Sequence, residues 1–585
     1  MRTFDVFPNR GNRSKWCSLV AFLALAMAMT GIPSWNALAQ ATQQTQAQVA
    51  AEQKTEQPAE IKLAPVSLVG PIERAEKEGT ALRLSLRDVT KMALQNNLNI
   101  AIADTNEELR QQSLIQARAA YDPSLRFTFS SSNSNSMSTQ VTTSAESGYI
   151  SSSQNGNLNT TFTKPIPTGG SISMSWNSSR RNSNNANDLT KPNYSTSGSL
   201  NFSQPLWRNL KIDSNRNSIK TANLDLQIND SQFRNTLTST IAQIHSAYWD
   251  LVSAINSYNI SRNGVELTRL TVAQNQKKVE IGTAAPITVT ESLASQAQKE
   301  VSLISSEERI LTAQNSLRNL ISKDRSADIW GQTIVPTDQP EFVEFNIDLN
   351  TAIETALKNR PELEQADLNL TKNDLTYKLQ QNNKKWQIDA NASIGAQGTG
   401  GVQAFRERNG VLTPVLLPDY VGGLLTSYKT VFLGDTYNWS LGLSVNIPLS
   451  NRSADASLAT TRIQRQQQLM QRTQQEQSII VEVRNQVQAL NTAKRQLDTA
   501  KIGTQLGIAK LDAENKRLEA GLSQNYLVLQ AQDSLLQARN SELNAQISYR
   551  RAILNLQRAM FTLLDANDID TGTGVKKSAK PLTFK

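Results

Sequence analysis

Residues 437–451 read YNWSLGLSVNIPLSN, and this stretch decides the fold class. Apolar and small polar side chains alternate along it, which is the pattern of a β-strand with one apolar face. Much of the rest of the 585-residue chain consists of long, Gln-rich segments without proline, which predict α-helices. The fold therefore combines long helices with a few strands, and the apolar face of those strands needs a partner.

The chain contains the same series of segments twice. SLRDVTKMALQNNLNI (85–100) corresponds to DLNTAIETALKNRPEL (348–363), and NFSQPLW (201–207) corresponds to SVNIPLS (444–450). VEIGTAAPITV (279–289) likewise corresponds to LEAGLSQNYLV (518–528). Three matched segments in the same order indicate a tandem duplication.

The duplication divides the chain into predicted regions: a signal peptide at 1–39, a flexible segment at 40–80, a first repeat at 84–325, a second repeat at 347–566 and a flexible tail at 567–585. Each repeat is predicted to hold two strands and one helical hairpin: strands near 123–131 and 194–206 with hairpin 208–323, then strands near 386–396 and 437–449 with hairpin 453–566. Long loops join the strands of each pair. The first loop, 131–193, contains TKPIPTGGSISMSW (163–176), which could form an additional hairpin.

The N-terminus has the features of a secretory signal. A basic segment precedes the apolar run CSLVAFLALAMAMTGI (17–32), and the small residues Ala37 and Ala39 predict cleavage after Ala39. A membrane anchor is the alternative, although the run is shorter than the ~20 residues that a spanning helix needs. The signal carries four positive charges and one negative charge, so the formal net charge of +9 falls to about +6 without it.

Composition excludes several function classes. The modest positive charge gives no reason to expect nucleic-acid binding. Cys17 lies in the signal, and His245 is the one histidine, so neither a His-based catalytic triad nor a multi-His metal site is possible within one chain. We predict no catalytic residues, no metal and no cofactor, and we expect His245 to pack on a helix seam.

The proline-free segments 211–279 and 453–518 predict helices of roughly 100 Å at 1.5 Å per residue. A helix of that length needs neighbours to be stable in water. Apolar residues from Val483 to Leu518 recur in steps of four and three, which is coiled-coil spacing. We therefore predict long helical hairpins that pack as coiled coils.

The four predicted strands have the length of tilted strands that cross a bilayer. Backbone groups in lipid must all be paired, so such strands must close into a barrel, and four are too few to close alone. Several chains must then combine their strands, with apolar faces toward lipid and polar faces toward an aqueous lumen. A soluble β-layer is the alternative interpretation. Aromatic residues near the strand ends favour membrane interfaces: Tyr121, Trp207 and Trp386 at one end, and Tyr194, Tyr437 and Trp439 at the other.

Over residues 84–566 this doubled arrangement resembles the TolC-type outer-membrane efflux proteins. The resemblance implies a homotrimer with a twelve-stranded membrane β-barrel and a periplasmic α-barrel. It also implies a passive exit channel of a tripartite efflux or type I secretion system, not an enzyme, in the cell outer membrane and extending into the periplasm. The implied partners are outer-membrane lipid, a periplasmic adaptor (membrane fusion protein) and an inner-membrane pump of the RND, ABC or MFS type. The alternative is an envelope-spanning coiled-coil structural protein or a surface adhesin.

The resemblance also implies sites at the turns of the helical hairpins. Adaptor contacts correspond to Gly282, Thr283, Ala284, Gly521, Leu522 and Ser523. Some family members close the aperture with acidic rings just past the second turn, and the corresponding positions are Leu527 and Gln530, with Thr288 and Glu291 in the first repeat. Leu527 and Gln530 are not acidic, and a solvated helix face is the simpler interpretation of Glu291. We expect Pro286 at the first helical position and Ser523 as the cap of the helices that follow the turns.

Overall fold

The computed structural model describes residues 67–569 apart from 138–149, 185–187, 189, 325, 341, 404, 409–410, 415, 417 and 435. The predicted signal peptide at 1–39 lies outside these residues, as do most of the flexible segments predicted at 40–80 and 567–585. The prediction of a flexible segment is wrong for residues 71–78, which form a helix. That helix begins with a proline at its first position and ends at Gly79, which takes the left-handed conformation.

The helices of the described residues are α1 Pro71–Glu78, α2 Leu86–Asn96, α3 Leu98–Arg118, α4 Ser214–Glu280, α5 Ile287–Ile321, α6 Leu349–Asn359, α7 Pro361–Asn383, α8 Leu424–Phe432, α9 Arg452–Glu519 and α10 Asn525–Ala559. The strands are β1 Ala81–Leu84, β2 Ser124–Met137, β3 Ile150–Pro165, β4 Ser171–Ser183, β5 Thr190–Pro205, β6 Thr333–Pro336, β7 Gln387–Gln403, β8 Phe405–Arg408, β9 Val411–Pro414 and β10 Tyr437–Asn446.

Each repeat contains two short helices, strands and a long helical hairpin. The hairpins are α4 with α5 and α9 with α10, and the longer helix of each contains 67 or 68 residues, or about 100 Å. Side-chain caps define several helix starts. Asp213 accepts a hydrogen bond from the Arg216 amide at 2.7 Å, and Ser85 forms a capping box with Asp88.

Apolar seams hold each hairpin against its short helices. In the second repeat, a buried cluster joins α6, α7, α9 and α10, and its fully enclosed members include Val483, Tyr549 and Leu556. The Tyr549 hydroxyl donates to the Val343 carbonyl at 3.1 Å and accepts from the Phe345 amide at 3.2 Å, which fixes the chain entering α6. A second cluster packs α3 and α4 against the end of α10 and the residues that follow it.

One six-stranded antiparallel sheet is described, in the order β10-β7-β5-β4-β3-β2. The sequence predicts about four strands with a long loop at 131–193, and the sheet contains six strands instead. Strands β3 and β4 occupy most of the expected loop, and the turn at residues 166–170 joins them. They form the additional hairpin that the segment TKPIPTGGSISMSW suggested. Pairing of β3 with both β2 and β4 explains why a Ser- and Asn-rich segment is a strand.

The strand register places the apolar side chains of all six strands on one face. Leu441 lies opposite Ala392, for example, and Met174 lies opposite Leu200. Exposed members of this apolar face are Leu125, Phe127, Phe129, Leu158, Phe162, Ile172, Met174, Leu200, Phe202, Ile394, Trp439, Leu441, Leu443 and Val445. The opposite face carries serines, asparagines and Asp389, which pairs in register with Ser444. Strands β2 and β10 form the two open edges of the sheet.

Among the described residues, no helix combines the length and the apolar character that a membrane span requires.

Candidate functional site at the hairpin tips

Both hairpins turn through the same backbone motif. Gly282 and Gly521 take φ angles of +76° and +74°, the left-handed region that favours glycine. In the first tip (residues 281–286), the amides of Gly282 and Thr283 donate to the carbonyls of Val279 and Lys278. In the second tip (residues 520–524), Gly521 and Leu522 repeat both bonds with Leu518 and Arg517. These paired bonds form a Schellman motif in each tip, which ends the long helix sharply.

The helices that follow the tips start differently from the sequence expectation. Pro286 is the cap of α5 rather than its first helical residue. Gln524, not Ser523, is the cap of α10, and no side-chain bond caps that end. The Ser523 hydroxyl instead donates to the carboxylate of Glu514 on the preceding helix. A hydrogen bond to a charged carboxylate is stronger than a bond between two neutral groups. Ser523 therefore ties α9 to the turn.

A polar junction joins the two tips. Asn275 Nδ2 donates to Ser292 Oγ at 2.7 Å and to Asn525 Oδ1 at 2.9 Å, which links α4, α5 and the start of α10. One turn farther from the tips, Gln532 donates to Thr271 at 3.3 Å. This junction was not predicted from the sequence. Polar side chains at seam positions of a coiled coil could have indicated it, because each buried polar group needs a hydrogen-bond partner.

Ion pairs lie next to the junction. Arg269 on α4 contacts the buried Glu300 on α5 at 2.7 Å, and Gln296 donates to the same carboxylate at 3.0 Å. Lys299 on α5 pairs with Asp533 on α10. The first of these pairs closes the α4–α5 hairpin, and the second joins the two repeats.

The tips present apolar side chains to their surroundings. Of the predicted adaptor contacts, Gly282, Thr283, Gly521 and Leu522 are exposed, whereas Ala284 and Ser523 are half-buried. Leu522 is 75% exposed. The sequence analysis missed three further exposed side chains in the same place: Ile281, Ile287 and Tyr526.

The predicted aperture positions lie on the first turns beyond the tips. Thr288 is half-buried, and its hydroxyl donates to the Ala285 carbonyl at 2.7 Å. Glu291, Leu527 and Gln530 are exposed. Of these four predicted aperture positions, Glu291 in the first repeat is the one with an acidic side chain.

The predicted interfacial aromatics lie at two levels of the sheet. Tyr121 precedes β2, Trp386 precedes β7 and Trp207 follows β5, which places all three at the end where helices join the strands. Tyr194, Tyr437 and Trp439 lie within strands, and they pair in register with the farther part of β7, at Gly400, Ala396 and Ile394 respectively.

Among residues 67–569 as described, no group of three or more His, Cys, Asp or Glu side chains could hold a metal ion. His245 is buried on α4, where burial lowers its pKa to about 4, and its Nε2 lies 3.1 Å from the Thr90 hydroxyl oxygen. This contact packs α2 against α4.

A doubled set of long helical hairpins, joined to a sheet with one exposed apolar face, defines the class of outer-membrane channels. The profile of the family described as outer membrane efflux protein matches residues 167–323 and 352–560, and the chain belongs to that family. Its members are passive channels of the outer membrane that extend into the periplasm, and they are not enzymes.

Solved structures share the fold. The Campylobacter jejuni CmeC outer membrane channel is 15% identical with a TM-score of 0.58, and the match covers 89% of this chain and 94% of that one. The Vibrio cholerae outer membrane protein VceC is 16% identical with a TM-score of 0.56, over 83% of this chain and 96% of that one. The open state of the Neisseria gonorrhoeae MtrE outer membrane channel is 16% identical with a TM-score of 0.52, over 87% and 98%. No curated protein matches the sequence.

Proposed function

We propose that the protein is the outer-membrane exit channel of a tripartite efflux or type I secretion system. Three copies form a passive conduit that receives its substrate from an inner-membrane pump through a periplasmic adaptor. The observation that carries the proposal is the apolar face, which continues across all six strands and is exposed, while the sheet ends in two open edges. An open sheet of this kind needs lipid on its apolar face and further strands at its edges.

Joining β2 of one copy to β10 of the next would remove every open edge. Three six-stranded sheets then supply eighteen strands, rather than the twelve that the resemblance implies. Barrel diameter grows roughly linearly with strand number, so this barrel is about half as wide again as a twelve-stranded one. The Ser- and Asn-rich face would line the lumen.

The tips are the proposed adaptor surface. Leu522, Ile281 and Ile287 expose apolar area at the end of the molecule farthest from the sheet, and Lys277 and Lys278 lie in the last turn beside them. An apolar centre flanked by charge is the composition of a protein-binding surface. The adaptor belongs to the membrane fusion class, and the pump to the RND, ABC or MFS type.

The test combines assembly and transport. The purified protein should have the mass of a trimer in detergent, and deletion of its gene should raise dye accumulation or change the set of secreted proteins. Leu522→Asp should abolish complementation while the trimer remains intact, and the matched variant Leu522→Met should complement fully. A monomer in detergent, or a deletion that changes neither accumulation nor secretion while the gene is expressed, would contradict the proposal.

A further inference from the structure

Helix α8 lies on the apolar face of the sheet, although it comes from the connection between β7 and β10. The Ser427 hydroxyl is 2.8 Å from the Thr196 hydroxyl on β5, and Thr430 donates to the Thr399 carbonyl on β7 at 3.1 Å. Two glycines permit this close approach. A Cβ on Gly398 would lie 2.1 Å from the Ser427 carbonyl oxygen, and one on Gly400 would lie 2.8 Å from the Gly423 carbonyl oxygen.

The amphipathic pattern of α8 is inverted. Its buried side toward the sheet is mainly polar, with Ser427 0% exposed and Thr430 2% exposed, and Val431 is its buried apolar member. Its outer side is apolar, with Leu425 82% exposed and Phe432 79% exposed. A helix on a protein surface in water shows the opposite arrangement. This pattern is favourable where the medium outside the helix is hydrocarbon and the polar groups are paired inside, as they are here.

The position of α8 along the strands agrees with a membrane interface. Ile388 begins the apolar side of β7, and Gly398 beneath α8 follows ten residues later. Ten residues at about 3.3 Å, tilted by about 40°, rise about 25 Å, which is the height of the lipid-facing band of an outer-membrane barrel. Lys429 is exposed on the outer side of α8, between Leu425 and Phe432, where its long stem allows the ammonium to reach headgroups.

A groove opens beside α8 on the same face of the sheet. Its volume is about 590 Å³, and it is lined in part by Phe129, Leu158, Tyr428, Leu424 and Arg180. The rest of the lining is mostly serine and asparagine of β2, β3 and β4, so an acyl chain would lie along the apolar side formed by Phe129, Leu158 and Leu424. The exposed Arg180 lies at the level of Tyr194, its register partner on β5. Arginine binds phosphate groups with paired hydrogen bonds.

We propose that α8 and this groove bind a phospholipid with an anionic headgroup at the outer membrane interface. The acyl chains lie against Leu425, Phe432 and the groove, and the phosphate lies between Lys429 and Arg180. The inference rests on the outward orientation of the apolar face given under the proposed function. It adds a specific lipid contact at the outer interface, which a bare strand wall would not provide.

Depth-dependent fluorescence quenching tests the proposal. In a Cys17→Ser background, which removes the one cysteine of the chain, Leu425→Cys and Phe432→Cys each carry a polarity-sensitive fluorophore in the full-length protein. The protein is reconstituted into phosphatidylcholine–phosphatidylglycerol vesicles that contain nitroxide lipid labelled near the headgroup or near the chain end. Matched controls are Leu441→Cys on the apolar face and Ser440→Cys on the polar face of the same strand.

The expected result is at least twofold quenching of the probes on α8 by the shallow nitroxide, with weaker quenching by the deep one. The Leu441 probe should show the reverse order, and the Ser440 probe should be quenched by neither. Unquenched probes on α8 with a quenched Leu441 probe would overturn the lipid contact and leave the proposed function intact. That pattern would mean that water, another segment or a neighbouring copy covers α8. An unquenched Leu441 probe would instead contradict the orientation of the sheet.

Headgroup preference provides the second readout. Shallow nitroxide on phosphatidylglycerol should quench the Phe432 probe more strongly than the same label on phosphatidylcholine. Lys429→Gln with Arg180→Gln should remove that excess. Equal quenching by both lipids in the unsubstituted background would overturn the anionic site.

Discussion

His245 should make the stability of the helical domain sensitive to mild acid. Burial lowers its pKa from 6.5 to about 4. Its Nε2 donates to the Thr90 hydroxyl oxygen, because the Thr90 hydroxyl hydrogen is already directed at the Leu86 carbonyl at 2.7 Å. Both the neutral and the protonated ring can donate this bond, so it is burial, which penalises the charge, that favours the neutral ring in the folded protein.

The sign and size of the effect follow from proton linkage. Below pH 6.5 the unfolded chain protonates His245, whereas the folded chain does so near pH 4. The unfolded state binds more protons between these values, so the free energy of unfolding falls as pH falls. The loss is about 2 kcal/mol per chain at pH 5, relative to neutral pH, and reaches about 3 kcal/mol below pH 4.

The assay compares urea unfolding of the wild type with that of His245→Gln, followed by circular dichroism at pH 7.5 and pH 5. Gln keeps a donor near Thr90 but does not titrate. Carboxylates titrate alike in both proteins, so the difference in their pH dependence isolates the one histidine of the chain. Thr90→Val is the control: it should lower stability by about 1–3 kcal/mol at both pH values and keep the wild-type pH dependence. Identical pH dependence in the wild type and His245→Gln would refute the reasoning.

Three further predictions concern the tips and α8. Gly521→Ala should lower the midpoint of thermal unfolding, because a non-glycine residue in the left-handed conformation costs about 1 kcal/mol. Gly503 lies in a helix interior with open space around it, so Gly503→Ala should raise the midpoint or leave it unchanged. Asn275→Ala removes the donor to Ser292 and to Asn525 Oδ1, and leaves those two residues joined only by their own bond of 3.3 Å. It should speed hydrogen exchange at the start of α10 without changing exchange in the sheet. Gly398→Val should displace α8 and expose it to cleavage by trypsin. The control Gly442→Val, at a position with nothing within 4 Å, should not. Equal cleavage of the two variants would argue against close packing of α8.

Local sequence signals were sufficient for the two long helical hairpins, their turns and strand β10. Proline-free segments with coiled-coil spacing predicted both long hairpins, and glycine marked both tips at the positions that take positive φ. The turn alone did not reveal that Ser523 fails to cap α10, because its hydroxyl donates to Glu514, which lies nine residues away on the preceding helix.

Strand β3 and helix α8 could not be predicted from local pattern. In β3, Leu158 and Phe162 are the large apolar residues after Ile150, so the segment lacks a clear alternation and becomes a strand through pairing on both sides. In α8 the polar side faces the protein, which inverts the rule by which amphipathic helices are read in water. Strand β3 thus depends on its neighbours in the sheet rather than on its own alternation. The inverted pattern of α8 is the one expected where the proposed lipid contact replaces water.

The β3–β4 hairpin occurs in the first repeat, while the described strands of the second repeat in that sheet are β7 and β10. In the proposed trimer, such an insertion would change the circumference of the barrel in increments of one hairpin per subunit, and it would leave the number of helices unaltered. Under the proposed function, the end that would meet the export machinery can stay fixed while the outward-facing end diversifies, so compatibility with a pump and the size of the cargo released would evolve as separate traits.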